Sequence, residues 1–163
     1  MFDHPLVQDG AVHYPGAVWL FPLLFGLAAF LNWKSNGAKP KVALVLQFVV
    51  LLSAIMGSLM LYVSPLSTAC AGAVANMLTG LGDMFNIPMP VASVMAIAGI
   101  AALAATIIDL FNDPDYNPGA IACLVLAPIL AHGAGGFLGV FTAGLYNSLA
   151  FTVLGVVIES TGA

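Results

Sequence analysis

The chain has 163 residues, 61% of them hydrophobic and 6% charged, with a formal net charge of −4. A water-facing surface needs about a quarter of its residues charged, so this composition argues against a soluble domain. An acidic balance with no arginine likewise argues against nucleic acid as a partner, because phosphate binding needs clustered basic side chains.

A mean hydropathy of +1.07 suits hydrocarbon as the solvent. The composition therefore predicts an all-α integral membrane protein with membrane lipid as its first partner. The expected architecture has four to five transmembrane helices, one of them short and broken, and one amphipathic helix that does not span. Residues 1–15 are expected as a short extracytoplasmic segment and 16–163 as a single polytopic membrane domain.

The opening "MFDHPLVQDGAVHYPG" has no basic start and carries Asp3 and Asp9, so it does not read as a signal peptide. His4 and His13, with Asp3, Asp9 and Tyr14, supply nitrogen and oxygen ligands of the kind zinc or copper takes. Their spacing matches no closed metal site, and the other reading is a short disordered terminus.

The first apolar run, "GAVWLFPLLFGLAAFLNW" at 16–33, is just long enough to cross about 30 Å of hydrocarbon. Trp19 and Trp33 sit near its ends, where an interfacial indole is favoured. The loop Lys34–Lys41 follows and holds every basic residue of the chain. The positive-inside rule places that loop in the cytoplasm and the N-terminus outside. A second span is expected at 42–63, ended by Ser64-Pro65. The order apolar run, lysine loop, apolar run resembles the layout of conjugative pilins; the later spans depart from that pattern, and it assigns no residue a role.

Residues 66–85 differ. Leu66, Cys70, Val74, Met77, Leu81 and Met84 recur at steps of three and four, which is one apolar stripe on a helix. The polar members lie mostly elsewhere and include no lysine or arginine, unlike a typical surface-seeking helix. This amphipathic helix has two readings, flat in the outer interface or lining the inside of an assembly. The missing basic residues favour packing against protein, with Asn76 and Asp83 as pore-lining residues if several copies surround an axis. "NIPMP" at 86–90 breaks the chain.

A third span is expected at 91–111. Its pairs Ala92 with Ala96, Ala98 with Ala102 and Ala101 with Ala105 form small-residue faces that let helices approach closely in lipid. Asp109, Asp113 and Asp115 cluster around the following turn with Asn112 and Asn117, and such oxygen ligands suit a hard cation. The pattern is no EF-hand, and a pairing of Asp109 with the lysine loop is the simpler expectation.

The last apolar stretch, from Ala120 to about Ile158, is too long for one crossing. "HGAGG" at 132–136 is the expected break, giving a short fourth segment at 120–131 and a fifth at 137–158. Pro128 has no N–H, so it frees the Leu124 carbonyl, and His132 and Gly133 read as a helix end. Gly135 and Gly139 have the GxxxG spacing of a helix-packing face. The sharper reading of His132 is a ligand, with His13 as the second candidate, because an intramembrane ionisable group is often functional. A single imidazole supplies one axial haem ligand only, so no cofactor is predicted, and haem or a metal is the alternative.

Nucleophile-elbow, zincin, P-loop and dinucleotide motifs are missing from the sequence, which predicts no enzyme. The expected function is a non-catalytic membrane subunit that packs with copies of itself or with other membrane subunits. The alternatives are a holin-like pore-forming oligomer, with Asn76, Thr79, Asp83, Asn147 and Ser148 around a shared axis, and a cofactor-holding redox subunit.

Overall fold

A computed structural model describes residues 6–8, 11–13, 16–112, 117–135, 140, 141, 143–149 and 152, the first two stretches by their backbone. Two short strands open it, β1 (Leu6–Gln8) and β2 (Ala11–His13). They pair antiparallel with Leu6 opposite His13 and Gln8 opposite Ala11. This hairpin was not expected; the described body that follows is all helical, as expected. The sequence between them is Asp9-Gly10, a favoured two-residue hairpin connection.

Five helices follow: α1 (Ala17–Ser35), α2 (Pro40–Tyr62), α3 (Pro65–Met84), α4 (Val91–Asn112) and α5 (Pro118–Gly133). Helical backbone resumes at 140, 141, 143–149 and 152. Three of the five begin with proline in the first turn, at Pro40, Pro65 and Pro118. There the missing N–H costs nothing and the fixed φ suits a helix start. Among the described residues, α1 and α2 are long and apolar enough to cross a membrane, against the four to five spans expected. Val91–Thr106 of α4 and the whole of α5 are apolar but shorter.

Helix α1 is apolar all round, the pattern of a helix without a water-facing side. Ala17, Phe21, Leu24, Ala28, Leu31 and Ser35 turn inward, while Trp19, Leu23, Leu27, Phe30 and Trp33 are exposed. The Phe25 ring fills the space that a side chain at Gly57 would take, which brings α1 close against α2. Helix α2 is divided along its length. Val42, Leu44, Val45 and Phe48 are exposed, whereas Gly57 to Tyr62 are buried. The main core gathers there: Leu59, Met60, Tyr62 and Val63 meet Ala17, Ala127, Ala131 and Tyr146. A second cluster of Ala28, Val50, Ala54 and Leu124 lies toward the lysine loop.

Helices α4 and α5 run antiparallel. Gly99 faces Leu130, Gly133 faces Met95, and the Gly135 N–H donates to the Ala92 carbonyl at 3.1 Å. Helix α3 ends in a Schellman motif. Asn86 takes the left-handed conformation at φ 53°, Ile87 N donates to Gly82 O at 2.9 Å, and Asn86 N to Asp83 O at 3.2 Å.

The face that α3 buries is not its apolar stripe. Ser67, Ala71 and Gly82 are buried, while Leu66, Met77, Leu81 and Met84 are exposed, Met77 by 69%. Among the described residues no other helix of the same chain covers the stripe, so protein packing there would have to come from another chain. Small residues let the α3 backbone approach its neighbours, and the large apolar side chains point away.

Candidate functional site

The polar chemistry of the helical body converges where α2 and α5 end. Helix α2 stops at Tyr62, ahead of Ser64-Pro65, and the last carbonyls of a helix lack intrahelical donors. Two side chains supply donors to Tyr62 O. Ser67 Oγ, from the first turn of α3, lies 2.9 Å from Tyr62 O and 2.9 Å from Ser64 O, and shares its one hydrogen between them. His132 Nε2, from the last turn of α5, lies 2.7 Å away. A carbonyl oxygen only accepts, so Nε2 carries the hydrogen.

The rings are stacked as well. His132 lies on Tyr62 with centroids 4.4 Å apart and planes 13° apart. Tyr146 also stacks on Tyr62, with centroids 4.7 Å and planes 20° apart. The Tyr62 hydroxyl donates to Ala143 O at 3.4 Å, so one tyrosine ties α2 to α5 and to the C-terminal helical residues. Tyr62 and Tyr146 are both buried.

One turn earlier on α2 and two turns earlier on α5 a second tie answers Pro128. Proline at 128 leaves the Leu124 carbonyl without its i→i−4 donor. Ser58 Oγ donates to that carbonyl at 2.8 Å in a buried setting. The vacancy created by one helix is thus closed by a hydroxyl of the next.

These contacts refine the sequence reading of His132. It was expected to cap its own helix; it caps α2 instead. Gly133 does not adopt the left-handed conformation expected of a C-cap, and α5 ends on Ala134 in extended backbone. Gly133 serves close approach: a methyl group there would overlap the end of Met95. Coordination of a metal or haem iron at Nε2 would break the cap on Tyr62.

The small residues named as packing positions are partly brought together. A Cβ at Gly135 would stand 2.7 Å from the Ala92 Cβ, and Ala96 is buried beside Met95. Gly139 lies outside the described residues.

Asp109 finds a partner other than lysine. Asn117 Nδ2 donates to Asp109 Oδ2 at 2.7 Å, and Asn117 Oδ1 accepts the Ala120 N–H at 2.8 Å as the N-cap of α5. Asn117 is the nearer donor because α4 and α5 meet across the turn that contains it. Lys34 instead lies over the Trp33 ring, 4.7 Å from its centroid. Asp113, Asp115 and His4 are outside the described residues, and so is the side chain of His13. Among the described residues no three His, Cys, Asp or Glu gather as a metal site. Asn76, Thr79, Asp83 and Ser148 are exposed, and the side-chain oxygen of Asn147 is buried without a hydrogen bond among those residues.

The sequence pointed to His132 and Pro128 but not to Tyr62, Ser58, Ser67 or Tyr146. The available signal was the Ser64-Pro65 helix end, which leaves carbonyls needing donors. Comparison with protein-family models, with curated proteins and with solved structures finds no match.

Proposed function

We propose that this chain is a non-catalytic integral membrane subunit that packs into an oligomer or a larger membrane complex. The observation that carries the reading is how side-chain size is distributed over α1 and α2. Ala17, Ala28, Ser53, Ala54, Gly57 and Ser58 are buried, while Trp19, Leu23, Phe30, Trp33, Leu44 and Phe48 are exposed. Large residues such as Leu59, Met60 and Tyr62 fill the core as well, so it is the row of large apolar side chains left exposed along both helices that suits lipid or a neighbouring helix as surroundings. Contiguous exposed apolar surface of this kind is foreign to a soluble monomer.

The polar groups at the bundle centre support a structural role. Ser58, Ser67 and His132 Nε2 each reach a backbone carbonyl, and Ser58 also pairs with the Tyr146 hydroxyl, which is the satisfaction that lipid demands of a broken helix. In this reading α1, α2 and α4 cross, α5 is a short fourth segment, and 137–158 returns as the fifth. The lysine loop is cytoplasmic and the N-terminus outside, with Lys34 on Trp33 near the inner boundary.

The test is the mass, composition and absorption spectrum of the protein after gentle solubilisation from membranes. A particle well above the 16.7 kDa chain, colourless and stable to dilution, is expected. A monomer free of other chains would overturn the subunit reading. A visible-region band would redirect it to a cofactor-holding subunit, with His132 as the first residue to substitute.

A further inference from the structure

We infer that α3 lies in the membrane–water interface on the side opposite the lysine loop, with one flank on the lipid boundary, and caps the end of the bundle. The inference rests on the membrane reading above. It starts from how the two ends of α3 are tied. At its start, Ser67 donates to Tyr62 O, the acceptor that His132 also reaches. At its end, the chain folds back so that Met89 lies beside Gly82, where an added Cβ would be 3.1 Å from the Met89 Cβ. Three residues on, Ala92 O accepts the Gly135 N–H, only three residues beyond His132.

Helix α3 is 20 residues long, about 30 Å at 1.5 Å per residue. If it crossed the bilayer beside α2, its end would lie near the lysine loop. Three residues from Met89 to Ala92 reach only about 10 Å. They cannot return the chain to the His132 end, where α4 begins. Helix α3 therefore lies across the bundle ends and not along them.

Its side chains divide to match. At about 100° per residue, Ser67, Ala71, Leu78 and Gly82 share one face, and three of these four are buried. Leu66, Met77, Leu81 and Met84 fall on one flank and are exposed. Thr68, Asn76, Thr79 and Asp83 fall on the other side and are exposed too. Asp83 would cost about 3 kcal/mol in hydrocarbon, so that side belongs in water. The apolar flank, continued by exposed Phe85 and Ile87, is the part that acyl chains cover. The absence of lysine and arginine from the polar side means that apolar area, with no pull from anionic headgroups, holds the helix down.

The test uses single cysteines carrying an environment-sensitive fluorophore in the full chain, reconstituted in phosphatidylcholine vesicles, with Cys70 and Cys123 replaced by alanine. Leu27→Cys in mid-α1 reports on the membrane reading itself. Met77→Cys and Asn76→Cys report on α3. Lipids spin-labelled at shallow and at deep positions, and aqueous iodide, are the quenchers. Expected are preferential deep quenching at 27, preferential shallow quenching at 77, and severalfold stronger iodide quenching at 76 than at 27. If 27 is not quenched by lipid, the membrane reading fails. With 27 deep, deep quenching at 77 shows that α3 crosses, and iodide quenching without lipid quenching shows that it stands off the bilayer. No quenching at 77 by either shows it covered by protein, a second copy included. Each of these three results overturns the inference.

Discussion

His132 Nε2 donates to the carbonyl oxygen of Tyr62 at 2.7 Å while the imidazole lies flat on the ring of the same tyrosine. One side chain therefore meets both a polar and an apolar need of the α2 end, and the two can be separated by substitution. His132→Phe keeps a flat ring and removes the donor. Tyr62 O then keeps only the Ser67 hydroxyl, whose one hydrogen Ser64 O also attracts, so the expected loss is about 1–2 kcal/mol. His132→Ala also removes the ring and leaves a cavity, for about 3 kcal/mol. Unfolding midpoints in one detergent check the order. Phenylalanine as stable as histidine would show that the hydrogen bond contributes nothing.

Ser58 and Pro128 form a pair that never touches through a hydrogen bond of its own, because both act on Leu124 O. Ser58→Ala should cost about 1–3 kcal/mol by leaving that buried carbonyl without a donor. Pro128→Ala restores the N–H that proline lacks, so Ser58→Ala should cost less in that background by about 1 kcal/mol. A double-mutant cycle on unfolding free energy reads this directly. Additivity within about 0.4 kcal/mol would mean that the hydroxyl does not compensate for the proline.

How far the sequence carried depends on which force acted. The expected helices at 42–63 and 66–85 stand beside observed helices Pro40–Tyr62 and Pro65–Met84, because proline and polar punctuation act locally. The apolar stripe of α3 was legible from its spacing, but the face that the chain itself buries was not, because that face is chosen by size and not by hydropathy. Ser67, Ala71 and Gly82 are buried for their size. The acceptor for His132 was out of reach: the tie to Tyr62 spans 70 positions and exists only because α2 and α5 end together. The β1–β2 pairing was the avoidable miss, since Asp9-Gly10 is itself a hairpin signal.

Asn117 joins two helices with one side chain, capping α5 through its oxygen and holding Asp109 through its nitrogen. Asn117→Ser keeps a capping oxygen and loses the amide donor; Asn117→Ala loses both. The cap is worth about 1 kcal/mol. Serine is therefore expected between asparagine and alanine in unfolding midpoint, and faster hydrogen exchange at the Ala120 amide is expected in the alanine variant alone. Equal exchange in serine and alanine variants would assign the role of Asn117 to Asp109 and not to the helix start.

Gly135 meets Ala92 so closely that an added methyl would stand 2.7 Å from the Ala92 Cβ, well inside contact distance. The N–H of Gly135 is also bonded to the carbonyl of Ala92, so the two backbones cannot separate without losing that bond. Gly135→Ala should cost about 1–3 kcal/mol, the usual range for overpacking. Removing the opposing methyl should relieve it, so Ala92→Gly is expected to recover most of the loss in the double variant. Gly72→Ala, where nothing lies within 4 Å, is the steric control, and it is expected to raise stability by up to about 1 kcal/mol because alanine is the better helix former. Thermal unfolding and particle mass should be followed together. If Gly135→Ala lowers the mass and leaves unfolding unchanged, the glycine serves contact between chains, and the Ala92 rescue will be absent. If unfolding falls and Ala92→Gly restores it, the close approach is internal to the α4–α5 pair.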